Sequence, residues 1–195
     1  AQEELYWGEI HCHSRMSDGI GDYDSLYGFA RHAACLDFAC GCDHACYFSD
    51  NQWQWMQSVT NARNEPGRFV TLVGYEWAGK QVHRNLYTAR DSLRLFRGMY
   101  GPTSDLATVY GALREDDQVV SGCHAPMAHG IDWSRFDPQI ERYIEVYSMW
   151  GRSDLREPEL APIRVHDRCQ SAHELMLGSG ARLGFTGGGD CHEAK

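Results

Sequence analysis

Tyr6-Trp7-Gly8-Glu9-Ile10-His11-Cys12-His13, followed by Ser17-Asp18-Gly19, is the stretch on which the reading of this sequence turns. Residues 5–13 have the composition of a first β-strand. Side chains alternate along a strand, so His11 and His13 point to one face and Cys12 to the other. Two neutral imidazoles at a strand end are half of a metal site for zinc, iron or manganese. The pair alone fits a solvated strand equally well. Its meaning depends on whether the rest of the chain supplies partners.

Working outward, strand and helix patterns alternate. Asp22 to Cys35 reads as a helix, with Leu26, Phe29, Ala30 and Ala33 on one stripe behind Asp22 or Asp24 as cap. Residues 36–43 read as a buried strand ending at Asp43-His44. Residues 50–64 read as a helix with Trp53, Met56 and Val59 on one face. Residues 69–76 form a strand ending at Glu76, and 83–88 a short strand opening at His83. A loop over 90–103 and a helix over 104–114 lead to a strand over 119–124, ending at His124. Residues 126–140 are loop-like, 143–147 a strand, and 151–164, with Pro158 and Pro162, irregular. A helix over 167–177, stopped by Gly178 and Gly180, precedes a strand over 183–186 and Gly187-Gly188-Gly189-Asp190-Cys191-His192. The alternation predicts an α/β domain with a parallel sheet. The loops at 90–103 and 126–140 are expected to shape specificity. No Walker or dinucleotide-type glycine loop is present.

At 195 residues, 43% of them hydrophobic and 23% charged, the chain is expected to form a single domain, 1–195, with one sizeable core. The net charge of −9, with Lys80 and Lys195 as the only lysines, argues against broad nucleic-acid binding. No apolar run is long enough to span a membrane, and no signal peptide is visible. Ala1-Gln2-Glu3-Glu4 would suit a chain from which a signal has been removed, so both cytoplasmic and secreted or periplasmic locations stay open. Eight cysteines, at 12, 35, 40, 42, 46, 123, 169 and 191, invite a zinc-knuckle reading at Cys40, Cys42 and Cys46. Their placement on apolar strand faces favours small core side chains in the thiol form instead. Cys12 and Cys191 each lie between two candidate ligands and are expected to face backwards.

The partners for His11 and His13 fall at strand ends: Asp18, His44, Glu76, His83, His124, Asp190 and His192. Singly, each has a bland reading as a turn, an ion pair or a loop residue. Jointly they suit the rim of a β/α barrel, where the strand ends converge.

These motifs, His11-Cys12-His13, Ser17-Asp18-Gly19, Leu36-Asp37-Phe38, Asp43-His44, Glu76, His124 and Asp190-Cys191-His192, resemble the PHP (polymerase and histidinol phosphatase) superfamily over nearly the whole chain. Gly74-Tyr75-Glu76-Trp77 and His83-Arg84-Asn85 are similar to one branch, often of secreted or envelope proteins. The resemblance implies a distorted (β/α)7 barrel, two to three divalent ions (Zn, Mn or Fe) and phosphoester hydrolysis. Carried over, one ion would sit on His11, His13, Glu76 and Asp190. A second would share Glu76 and add His83 and His124. A third would use Asp18, His44 and His192. His129 could replace His83, or act as an acid at the leaving group. The family also has a closing helix after Asp-x-His, whereas this sequence stops at Lys195. A missing helix would expose apolar surface and favour a homodimer.

The expected chemistry is attack on phosphorus by a hydroxide between the Glu76-bridged ions, with Asp190 beside them. The substrate would be a small phosphomonoester or diester. Arg84 or Arg15 would hold phosphate oxygens, an ion-pair role being the plain alternative. Trp7, Trp77, Tyr47 and Trp150 are candidates for the pocket wall. An amidohydrolase acting on C–N or C–O bonds is the nearest rival, but Lys80, the only interior lysine, falls beyond the strand end where Glu76 sits. A non-catalytic metal-binding domain is the third reading. No nucleophile elbow supports a serine or cysteine hydrolase.

Overall fold

A computed structural model describes residues 4–79, 82–116, 118–126, 135–154 and 171–193. Lys80, His129, Pro158, Pro162, Asp167 and Cys169 lie outside the described residues. The first sheet is parallel, in the order β1 (Gly8–Cys12), β2 (Phe38–Gly41), β3 (Val70–Thr71). The second runs β4 (Val73–Gly79), β5 (Val82–Thr88), β6 (Val119–His124), β7 (Glu141–Ser148), β8 (Gly151–Arg152), with β9 (Gly184–Gly187) also paired to β7. The architecture is α/β, with two departures from the expected parallel barrel.

The second sheet is mixed. β4 and β5 form an antiparallel hairpin in which Gly79 faces Val82 and Glu76 faces Asn85, and β5 is antiparallel to β6. A parallel pair needs a crossover of a dozen or more residues, and only two separate β4 from β5. The expected 69–76 strand also divides: Val70–Thr71 pairs with β2, and the chain past Leu72 enters the second sheet.

Instead of one continuous ring, the two sheets meet at two seams, each a single parallel bridge. At one, Cys12 faces Cys191 and the His13 N–H donates to the Cys191 carbonyl at 2.8 Å. At the other, His44 faces Glu76, with Glu76 N–H to Asp43 O at 2.9 Å and Ala45 N–H to Glu76 O at 2.8 Å. Both seams coincide with the candidate ligand motifs.

The helices cover the outside. α1 (Tyr23–Gly28) is capped by Asp22, whose carboxylate accepts from Ser25 N–H. It then widens into a π-turn over Phe29–Ala33, and Cys35, at φ 54°, ends it. The sequence pattern reads this as one α-helix. Gly28, a poor helix former, sits where the winding changes. α2 (Asp50–Arg63) has the Ser49/Gln52 capping box and buries Trp53 and Met56. α3 (Leu106–Leu113) buries Leu106, Val109 and Tyr110. α4 (Ala172–Ser179) starts from a Ser171/Glu174 capping box and stops at Gly180, whose left-handed φ of 67° suits glycine. Gly178 lies inside α4.

The segment 90–103 packs inward. Leu93 and Phe96 are buried, Trp53 Nε1 donates to Leu93 O at 2.8 Å, and Tyr75 Oη to Arg94 O at 2.8 Å. These contacts make it part of the core packing over α2 and β4. Among the described residues no helix is long and apolar enough to cross a membrane.

Candidate metal centre

His11 and His13 leave β1 on the same face, as alternation requires, and both are fully buried. The nine residues singled out as ligands meet in one cluster. His13 Nε2 lies 3.0 Å from Asp190 Oδ1, 3.2 Å from Glu76 Oε2 and 3.3 Å from His11 Nε2. His11 Nε2 lies 3.5 Å from both carboxylates. On the other oxygen of Glu76, His83 Nδ1 stands at 2.5 Å and His124 Nε2 at 2.6 Å. His44 bridges the groups, with Nδ1 at 3.1 Å from Glu76 Oε2 and Nε2 at 3.6 Å from Asp18 Oδ2. Asp18 Oδ1 also meets His13 Nδ1 at 3.4 Å and His192 Nε2 at 3.5 Å. The His192 ring stacks on His13 with centroids 4.3 Å apart.

The donor set fits divalent cations. Ligand atoms each about 2.1 Å from one ion stand about 3.0–3.4 Å from one another, by tetrahedral or octahedral geometry. The first four ligands have nearly these separations. Glu76 Oε2 is buried with no hydrogen-bond partner although three imidazole nitrogens lie within 3.5 Å, and His44 Nδ1 is in the same position. Those nitrogens are badly aligned for hydrogen bonds to that oxygen. Aimed at a common point, they are well placed as ligands.

The electrostatics agree. Burial disfavours the Glu76 charge, but His124 and His83 beside it hold its carboxyl well below the usual range. Burial likewise works against Asp190, and His11, His13 and His124 lower it. Burial would depress His13, but the Asp190 and Glu76 carboxylates against its ring outweigh this and raise it to about 9. His11 rises too, because Glu145 and Asp190 outweigh its burial. Burial lowers His44. The carboxylates and the imidazoles thus stabilise one another's charged forms.

Three supports of the site have no role in the sequence reading. Glu145, on β7, accepts from His11 Nδ1 at 2.9 Å and fixes that ring, a partner that orients a metal-ligating histidine. Ile144 and Val146 pack into one apolar cluster, so Glu145 has to face the opposite side of its strand. A buried acid in the middle of the strand that the sequence reads over 143–147 is the available signal. Glu145→Gln is expected to weaken metal affinity about 10- to 100-fold, read by competition with a chelating dye, with little change in the chelated protein's far-UV spectrum. Asp43 accepts from Ser14 N–H and Ser14 Oγ at 2.8 Å each and from Ser17 Oγ at 2.5 Å, so it clamps the turn that presents Asp18. Within that turn Gly19 is needed for space, since a Cβ there would lie 2.4 Å from the His13 carbonyl oxygen. Glu9 accepts from Gly189 N–H at 2.6 Å and so holds the loop carrying Asp190.

The proposed phosphate-binding arginines lie elsewhere. Arg84 follows His83 on β5 and so points the other way; it is fully buried and ion-pairs with Glu141 at 3.2 Å. Arg15 is exposed, 3.7 Å from Asp22. Of the aromatic candidates, Trp77 is a core residue donating to Thr103 O, and Trp7 is exposed at the start of β1. Tyr47 stacks on His44 with centroids 5.9 Å apart. Trp150 joins Asp18, His44, Glu76, His83, His124, Asp190 and His192 around a cleft of about 70 Å³. Among the described residues, the larger apolar clefts lined by Leu26 and Phe29 or by Phe38 and Val70 gather no such set of histidines and carboxylates.

A family model described as protein of unknown function (DUF3604) matches residues 23–97. An uncharacterized protein of Chlamydia pneumoniae is 26% identical over 198 residues, covering 95% of this chain and 32% of the relative. One from Chlamydia trachomatis is 21% identical over 205 residues, with the same coverage. The chain thus spans about a third of the length of the curated relatives it matches. Among solved structures, a two-domain Bacteroides vulgatus protein containing a predicted PHP-like metal-dependent phosphoesterase has a TM-score of 0.55 at 16% identity, over 97% of this chain and 52% of that one. A protein of Bifidobacterium adolescentis, proposed as a metal-dependent phosphoesterase, has a TM-score of 0.56 at 14% identity, over 100% and 91%. PsfC from Pseudomonas syringae has a TM-score of 0.57 at 17% identity, over 97% and 77%. At these identities the likeness is one of fold.

Proposed function

We propose that residues 1–195 form one metallohydrolase domain that cleaves phosphoesters with two or three divalent cations, zinc, manganese or iron. The observation that carries this reading is Glu76. Its buried oxygens face ring nitrogens of His11, His13, His44, His83 and His124, all within 3.5 Å, and Oε2 has no hydrogen-bond partner. We read the two sheets, joined at Cys12–Cys191 and His44–Glu76, as one distorted barrel of the PHP type. The fold likeness to two proteins described as metal-dependent phosphoesterases supports that reading.

His11, His13, Glu76 and Asp190 would hold one ion, His83 and His124 with Glu76 a second, and Asp18, His44 and His192 a third. Bound cations would bring the pKa of water towards neutrality and offset charge on phosphoryl oxygens. Glu145 keeps the His11 ring in one orientation, and Asp43 keeps Asp18 facing the cleft. Trp150 lines the cleft, and Tyr47 stacks on His44, another lining residue. The small cleft suits a compact phosphoryl group better than a bulky one. The rival C–N or C–O hydrolysis is less favoured because Glu76 offers one oxygen to each group of histidines, as a bridging carboxylate would.

The test measures metal per chain and turnover of phosphomonoester, phosphodiester and amide substrates, with and without a chelator. Phosphoester cleavage lost on chelation and restored by manganese or zinc supports the proposal. Amide cleavage alone, or bound metal without turnover on any of them, overturns it.

A further inference from the structure

We propose that Cys12 and Cys191 are a dithiol site for small-molecule disulfides, oxidised by exchange to a cross-strand disulfide that ties the two halves of the metal centre together. The placement follows from alternation. Cys12 lies between His11 and His13 at the end of β1, so alternation sends its sulfur to the reverse side of the cluster, and Cys191, between Asp190 and His192 past the end of β9, meets it there. The two residues are direct partners in a parallel bridge, and their sulfurs are 3.0 Å apart. Neighbouring strands lie about 4.8 Å apart, and a disulfide joins Cα atoms about 4.4–6.8 Å apart. Bond formation thus needs a small approach of the sulfurs and no rearrangement of the backbone.

Cys12 is 5% exposed, whereas Cys191 is half-buried. A co-reactant therefore meets Cys191 first. The Cys191 thiolate attacks a disulfide RSSR, forming Cys191–S–SR and releasing RS⁻. The Cys12 sulfur then attacks the Cys191 sulfur, loses its proton and expels the second RS⁻. Two protein thiols are oxidised, one RSSR is reduced, and the two RS⁻ leave as thiols after protonation. The bond would join residues 179 positions apart, across the seam where β1 meets the segment after β9. A loop of that length is among the most stabilising to close in the chain-entropy account. The proposal does not depend on phosphoester cleavage.

The experiment treats the metal-loaded full chain with oxidised glutathione, blocks remaining thiols with iodoacetamide and maps peptides without reduction. The expected result is a linked peptide pair carrying Cys12 and Cys191, with a melting temperature about 10 °C higher that dithiothreitol reverses. Cys12→Ser is expected to stop at the glutathione adduct on Cys191, and Cys191→Ser to give neither adduct nor shift. Alkylation of both cysteines in the treated wild-type chain overturns the proposal. So does a glutathione adduct on wild-type Cys191 that persists as it does in Cys12→Ser. The wild-type peptide map decides the matter even if a variant fails to fold.

Discussion

Glu76→Gln is expected to lose at least one metal ion per chain and to lower metal affinity and phosphoester turnover by more than about 100-fold, since even residues that only orient metal ligands cost 10- to 100-fold. The substitution keeps the volume and one acceptor oxygen. It removes the charge that five imidazoles share and puts an amide N–H₂ where an oxygen faced ring nitrogens at 2.5 to 3.5 Å. An amide nitrogen does not ligate these cations, so the set loses one of the carboxylates that face histidines with both oxygens. The protein should still fold, because Glu76 N–H and C=O keep their bonds to Asp43 and Ala45 whatever the side chain. Elemental analysis and turnover, measured beside a circular dichroism spectrum, check all three parts. Full metal content in a folded Glu76→Gln chain would mean that Glu76 is not a shared ligand.

How far the sequence could be read is clearest at this hairpin. The spacing of seven residues between Glu76 and His83 looks too short for ligands on successive parallel strands. It is the natural spacing of a tight antiparallel turn, in which Ala78 faces His83 and Glu76 faces Asn85. Nothing around Gly79 carries the Asn-Gly or Asp-Gly signature of such turns, so the hairpin left only this indirect trace. Alternation was enough to separate Arg84 from His83, since neighbours on a strand cannot share a face. The same rule placed His11 and His13 together with Cys12 behind them, whereas Asp190, at φ 47° past the end of β9, reaches the cluster from a loop. Glu145 and Asp43 escaped because their roles are long-range. Glu145 touches a histidine 134 positions away and Asp43 a serine 29 away, distances over which local patterns carry no information.

Removing the metal is expected to lower the melting temperature by about 10 °C near neutral pH, and the gap should widen as pH rises from 6 to 9. Ligand present at 100 to 1,000 times its Kd stabilises by about 3–4 kcal/mol, and each kcal/mol is worth about 2–4 °C in a chain of this size. The pH trend follows from the groups in the cluster. His13 is raised to about 9 from 6.5, with burial opposing and Asp190 and Glu76 outweighing it, and His11 moves the same way. Their contribution to the metal-free fold is complete below about pH 6.5 and is lost as pH climbs through about 9. Glu76 and Asp190 are depressed, so their contribution is present above the ordinary carboxylate range and is lost only in acid. The chelated protein should therefore be most stable between about pH 4.5 and 6.5 and weaken towards 9. Metal binding has the opposite slope, because each imidazole must give up its proton to become a ligand. Melting curves with manganese and with a chelator at pH 6, 7.5 and 9 measure the gap directly. A gap that stays constant or narrows towards pH 9 would show that protons and cations do not compete for these side chains, and the cluster would then be an ion-pair network instead of a metal centre.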